Sequence, residues 1–153
     1  MISFCQKVDQ LLSSYYEINP SPQIKDFIFL NQSSKQSKLT IVQKSIDEIE
    51  LAVTLSLPDF LAFEAANLET PDTVEDLNSI LLMIEEISHF RLLVNRANYN
   101  QQVSKLQLEF QAELDKILIT TTLFRDKHYS LNLSDLCHLI FNRAYYHHSK
   151  LGN

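Results

Sequence analysis

Glycine is almost missing from this chain: Gly152 is the single one among 153 residues, where an ordinary protein carries roughly 7%. Turns that need a positive φ must therefore use Asn, Asp or Ser, or be avoided. The same shortage excludes every glycine-dependent phosphate cradle, the Walker loop and the dinucleotide fingerprint alike. A nucleotide is left with a helix N-terminus, side chains or a metal to hold it. Cysteine is limited to Cys5 and Cys137, which form no disulfide framework. Cys137 and His138 are adjacent, but neighbours on a helix point about 100° apart and do not ligate one ion together. No apolar run approaches the roughly 18 residues of a membrane span. Basic residues are few and scattered: 13 Lys and Arg stand against 19 Asp and Glu, for a net charge of −6. Without a basic patch, neither nucleic acid nor anionic lipid is an expected partner. The opening Met1-Ile2-Ser3-Phe4-Cys5 has no basic start and meets Gln6 and Lys7 at once, unlike a signal peptide. The expectation is a single domain, residues 1–153, in the cytoplasm with reduced thiols.

What is present is enough apolar residue, 45% of the chain, to build one ordinary core. Residues 3–18 carry Phe4, Val8, Leu11, Leu12 and Tyr15 at helical spacing, with Ser3 and Gln6 placed as a capping box. Asn19-Pro20-Ser21-Pro22 ends that helix, because proline disfavours helix in the residue before it. Residues 26–31, 38–44 and 49–56 read as strands. The third is the clearest, with Ile49, Leu51, Val53 and Leu55 alternating against Glu50, Ala52, Thr54 and Ser56. Three strands in succession with short turns predict an antiparallel meander. Helices follow at 58–68, 73–98 and 105–123, the last capped by Ser104 with Gln107. Asn132 or Asp135 is placed to cap a final helix to about His148. The fold class is α+β: an N-terminal helix, a three-stranded antiparallel meander, then a mainly helical C-terminal half built on a central hairpin, residues 79–122.

The first arm of that hairpin places Ile80, Met83, Ile84, Ile87, Phe90 and Val94 on one broad face, with Leu81, Leu82, Leu92 and Leu93 to either side. A helix apolar almost all round is buried on more than one side. Glu85, Glu86, Ser88, His89 and Arg91 interrupt it, and a buried charge must be paired or reach water. In the second arm Lys105, Glu109, Glu113 and Lys116 form a charged stripe opposite Leu106, Phe110, Leu114, Ile117 and Leu118. Such a stripe usually faces solvent as i,i+4 pairs, which puts the leucines inside.

Glu86-x-x-His89 is half of the pattern that di-iron carboxylate bundles use, and Glu109 and Glu113 offer further carboxylates. The candidate metal ligands are therefore Glu86, His89, Glu109 and Glu113, suited to Fe, Mn or Zn. No second Glu-x-x-His occurs, and the plainer expectation is no cofactor, with His89 in an intra-helix Glu–His pair and its proton affinity raised. Glu85, Ser88, Gln111 and Asp115 complete a second polar cluster. All-α nucleotide pyrophosphohydrolases offer another comparison, but His89 stands where their third carboxylate belongs and Glu113-Leu114-Asp115 has the wrong spacing for Mg²⁺. No nucleophile has a turn signature around it.

Glu85-Glu86-Ile87-Ser88-His89-Phe90, read with Leu108-Glu109-Phe110-Gln111-Ala112-Glu113-Leu114-Asp115-Lys116, resembles a segment of uncharacterised bacterial proteins. Those carry Glu-Gly-Val-Ser-His-Phe and Leu-Glu-Leu-Gln-Ala-Glu-Val-Asp-Lys. Glu86, Ile87, Phe110 and Leu114 depart from that pattern. The resemblance implies no activity, but it singles out Ser88, His89, Gln111, Glu113 and Asp115. A helix, a meander and a helix in an acidic chain is also similar to the opening of type III secretion chaperones, although those return to strands where this chain continues in helices. The expected function is a non-enzymatic interaction protein, adaptor or chaperone-like, with a protein partner or self-association. The alternative is a metal-dependent enzyme on the hairpin.

Overall fold

The computed structural model describes residues 1–19, 21–33, 37–43, 49–65 and 74–124. The final helix expected up to His148 lies outside the described residues, as do Cys137, His128, His138, His147, His148, Tyr145 and Tyr146. The architecture is α+β. Helix α1 spans Ile2–Tyr15, and a 3₁₀ turn, Ile24–Phe27, leads into β1 (Ile28–Asn31). Strands β2 (Lys38–Gln43) and β3 (Ile49–Ser56) follow, then helices α2 (Leu57–Ala65), α3 (Val74–Asn98) and α4 (Lys105–Phe124).

The sheet is mixed, which corrects the expected antiparallel meander. Its order is β1-β3-β2. β1 runs parallel to β3, with Ile28 opposite Val53. β2 runs antiparallel to it, with Lys38 opposite Thr54. The central place goes to the strand with the cleanest alternation, since β3 buries Val53 and Leu55 fully. The flanking strands leave Phe29, Leu30, Ile41 and Val42 exposed, as edge strands tolerate. Neighbours in sequence are neighbours in a sheet only about two-thirds of the time, and local pattern carries no strand order.

Helix α3 is the centre of the core. Ile80, Met83, Ile84, Ile87, Phe90 and Val94, the face read from the sequence, are all buried. They pack with Cys5, Val8 and Leu12 of α1, with Val53 and Leu55 of β3 and with Phe63 of α2. Leu77 and Leu81 look another way, onto Ile117 of α4, so α3 is covered on more than one side.

The caps show how a chain so poor in glycine turns corners. The Ser104–Gln107 box forms in full: Ser104 N–H donates to Gln107 Oε1 at 2.8 Å, and Gln107 N–H donates to Ser104 Oγ at 3.2 Å. The Ser3–Gln6 box does not form, because the cap falls two residues earlier, on Met1. After α3 the left-handed position falls to Asn100, at φ 51°, one of the residues that tolerates it best. After α1 it falls to Glu17, at φ 52°, where a side chain is a cost. At α2, Asp59 Oδ2 accepts from Ser56 Oγ, Ser37 Oγ and Ser37 N–H at 2.7, 2.7 and 2.8 Å. One carboxylate thus joins the start of β2, the end of β3 and the first turn of α2.

Candidate functional site

α4 turns the first part of its apolar row away from α3, against the expectation from its pattern. Leu106 and Phe110 are 77% and 64% exposed, and Leu114 is exposed with them. Lys116 is 8% exposed, and Ala112, Asp115, Ile119 and Thr120 are buried beside it. The later part of the charged stripe, Glu109, Glu113 and Lys116, therefore turns toward α3, while Lys105 is exposed and Ile117 still packs on Leu77 and Leu81. The reason is the surface it meets: Glu85, Ser88 and His89 interrupt the apolar wrap of α3 on that side, and only polar partners satisfy them.

Two polar groups result. In the first, Lys116 Nζ lies 2.5 Å from Glu85 Oε2 and 2.8 Å from Glu113 Oε1. Beside it the ligating atoms of Glu85, His89 and Glu109 lie within 4.8 Å of one another. Two buried polar atoms here find no hydrogen-bond partner, His89 Nε2 and Glu113 Oε2. Burial pushes the His89 imidazole below its ordinary value, against the pull of Glu85, Glu109 and Glu113. The expected rise in its proton affinity is thus reversed, and a neutral ring keeps a nitrogen lone pair free to ligate. Glu86 does not share the cluster's geometry. It turns toward the Leu39 N–H of β2, and burial, with the charges of Glu85 and Glu109, lifts its carboxyl to about 8. Lys116 loses solvation, yet the two carboxylates beside it raise its pKa overall.

The second group faces α1. Ser88 Oγ donates to Asp115 Oδ2 at 2.5 Å, and the Tyr16 hydroxyl donates to Asp115 Oδ1. Gln111 Nε2 donates to Tyr16 Oη at 2.7 Å and to Asp115 Oδ1 at 3.0 Å. Burial raises the Asp115 carboxyl, while these three donors oppose the rise. The network lines a cavity of about 240 Å³ with an apolar wall of Leu12, Ile18 and Leu92. Every oxygen of Asp115 is engaged, so this side is a satisfied network, unlike the first.

Of the four metal candidates read from the sequence, His89 and Glu109 come together. Glu86 is replaced by Glu85, and Glu113 is held by Lys116. The substitution follows from helix geometry: residues four apart stack on one face, whereas Glu86 lies about 100° further round. Of the second cluster, Ser88, Gln111 and Asp115 meet as a set, while Glu85 belongs with His89. Glu113 and Asp115 point to different groups, so the carboxylate pair of a pyrophosphohydrolase does not form. Sequence reasoning missed Tyr16, which reaches Asp115 from 99 positions away, and Asp9, which binds Arg91. No spacing rule links such pairs. Lys116 was legible only as the i+3 neighbour of Glu113.

Comparison with protein-family models, with curated proteins and with solved structures finds no match to this chain. Among the described residues no helix is long and apolar enough to cross a membrane.

Proposed function

We propose that this protein binds a divalent transition metal on its central helical hairpin, through Glu85 and His89 of the first arm and Glu109 of the second. The observation that supports the reading is the convergence of two carboxylates and one imidazole within 4.8 Å, with His89 Nε2 buried and unpartnered. Buried polar atoms are bonded in more than about 90% of cases. The unpartnered His89 Nε2 beside two carboxylates therefore calls for a cation or an ordered water. Imidazole with carboxylates suits Mn, Fe or Zn, and suits Ca or Mg less well. Three protein ligands leave a coordination position open, where an ion binds and activates water. The test is metal content and calorimetry on purified protein after loading with Mn²⁺, Fe²⁺ or Zn²⁺. Near one equivalent is expected, lost in His89→Ala with unchanged circular dichroism. Failure of all three ions to bind the wild type would refute the reading.

One observation favours a second reading, an interaction protein that self-associates. Leu106, Phe110 and Leu114 lie four apart on the outward face of α4, all exposed. A row at that spacing packs into the same row of a second copy at a crossing angle near −50°. So narrow a contact sits at the small end of stable interfaces, and the dimer is expected only at high concentration. Sedimentation across a concentration series tests it: Phe110→Glu abolishes the dimer, whereas a wild type that stays monomeric throughout removes this reading.

A further inference from the structure

We infer that Lys116 is the built-in counter-ion of this centre, and that a divalent metal enters by exchange, taking Glu85 from Lys116 and leaving the ammonium on Glu113 alone. The inference rests on the proposed metal reading and adds how the site is controlled.

Three observations carry it. First, Glu85 is claimed twice. Its carboxylate holds Lys116 at 2.5 Å and also belongs to the group whose ligand atoms lie within 4.8 Å of one another. A divalent ion and an ammonium repel at such range, so the ion weakens the Glu85–Lys116 contact when it takes the carboxylate. Second, Lys116 has a second seat. Glu113 Oε1 already lies 2.8 Å from its Nζ, and Glu113 Oε2 is buried with no partner. The ammonium therefore has an acceptor free to receive it without leaving the protein. Third, Lys116 is buried between these two carboxylates, both within ion-pair distance of its Nζ. The shortest move open to it is therefore from Glu85 onto Glu113.

The charges explain the design. Without metal, Glu85, Glu109 and Glu113 bring three negative charges into a half-buried layer, and Lys116 offsets part of them. Uncompensated, they would repel one another and lose solvation. The lysine thus keeps the metal-free protein folded, and it also sets how strongly the site draws a cation. The Glu85–Lys116 ion pair is exchanged for metal–ligand bonds, no covalent bond of the protein changes, and Lys116 keeps its proton throughout.

Mn²⁺ titration of wild type, Lys116→Met and Glu113→Gln tests the exchange, read by calorimetry and by electron paramagnetic resonance. Lys116→Met removes the competing charge and is expected to bind Mn²⁺ at least tenfold more tightly. It should also melt lower without metal and show a larger rise in Tm on Mn²⁺ addition than the wild type. Glu113→Gln removes the second seat, keeps Lys116 on Glu85, and is expected to bind Mn²⁺ several-fold more weakly. This second variant serves if Lys116→Met does not fold. Mn²⁺ bound by the wild type with unchanged or lower affinity in Lys116→Met, or with unchanged affinity in Glu113→Gln, overturns the exchange and leaves the metal reading standing. Mn²⁺ bound by none of the three overturns the metal reading and the exchange with it.

Discussion

Arg91 offers the sharpest stability test, because its guanidinium joins three parts of the chain. It lies on α3 and is 2% exposed, and Asp9 of α1 is 4% exposed. Its Nε donates to Asp9 Oδ1 and its Nη2 to Asp9 Oδ2, both at 2.6 Å. Nη1 and Nη2 also donate to the carbonyls of Asn19 and Pro22 at 3.2 Å, so the segment after α1 is tied down by the same group. Asp9→Ala leaves a buried guanidinium without its counter-charge. Two unit charges about 4 Å apart at an effective dielectric of about 20 attract by about 4 kcal/mol, and breaking buried pairs costs about 3–5 kcal/mol in general. The expected loss is therefore about 4 kcal/mol, a large part of the about 5–15 kcal/mol that holds a domain together. Asp9→Leu combined with Arg91→Met should recover most of it, because no charge is then left buried. Urea unfolding followed by circular dichroism reads both, with coincident fluorescence of the tyrosines as the check on two-state behaviour. A loss below about 1 kcal/mol for Asp9→Ala, the range of an exposed pair, would refute the claim that this ion pair ties α1 to α3.

Three further outcomes are expected. Glu86 is 5% exposed, and its folded carboxyl near 8 lies above the ordinary 4.5. The folded state then holds the extra proton between those values, so Glu86 lowers stability as pH rises from about 5 to 8. In chelator, Glu86→Gln should stabilise the protein at pH 8 by about 3 kcal/mol relative to pH 5, measured as the difference between the two unfolding curves; parallel pH profiles would show that burial does not raise the Glu86 carboxyl. Glu17→Gly should raise stability by about 1 kcal/mol, since Glu17 sits at φ 52° where a Cβ is unfavourable; a lower Tm would contradict this. Ser104→Ala should cost about 1 kcal/mol by opening the reciprocal box with Gln107, with faster amide exchange confined to the first turn of α4.

Much of the fold was legible from local chemistry. The apolar face of α3, the alternation of β3 and the Ser104–Gln107 cap are each set by side chains within a few residues of one another, and each stands where the pattern placed it. The class α+β follows from the same signals. Legibility stopped where a choice depended on a distant partner. The order β1-β3-β2 is set by which strand buries the most apolar surface, and that comparison spans the whole sheet. The facing of α4 is the clearest case. Its two stripes are equally regular, and the apolar one would go inside against an ordinary hydrophobic neighbour. Leu106, Phe110 and Leu114 go outside because the neighbour is the polar side of α3, where Glu85, Ser88 and His89 need Lys116 and Asp115 more than they need leucines. The sequence by itself determined only that carboxylates and a histidine lie on these two helices. Only the tertiary structure decided that Glu85 rather than Glu86 joins it, and that Lys116 shares its charge, because helix rotation and partner choice are properties of the packed pair and not of either strip of residues alone.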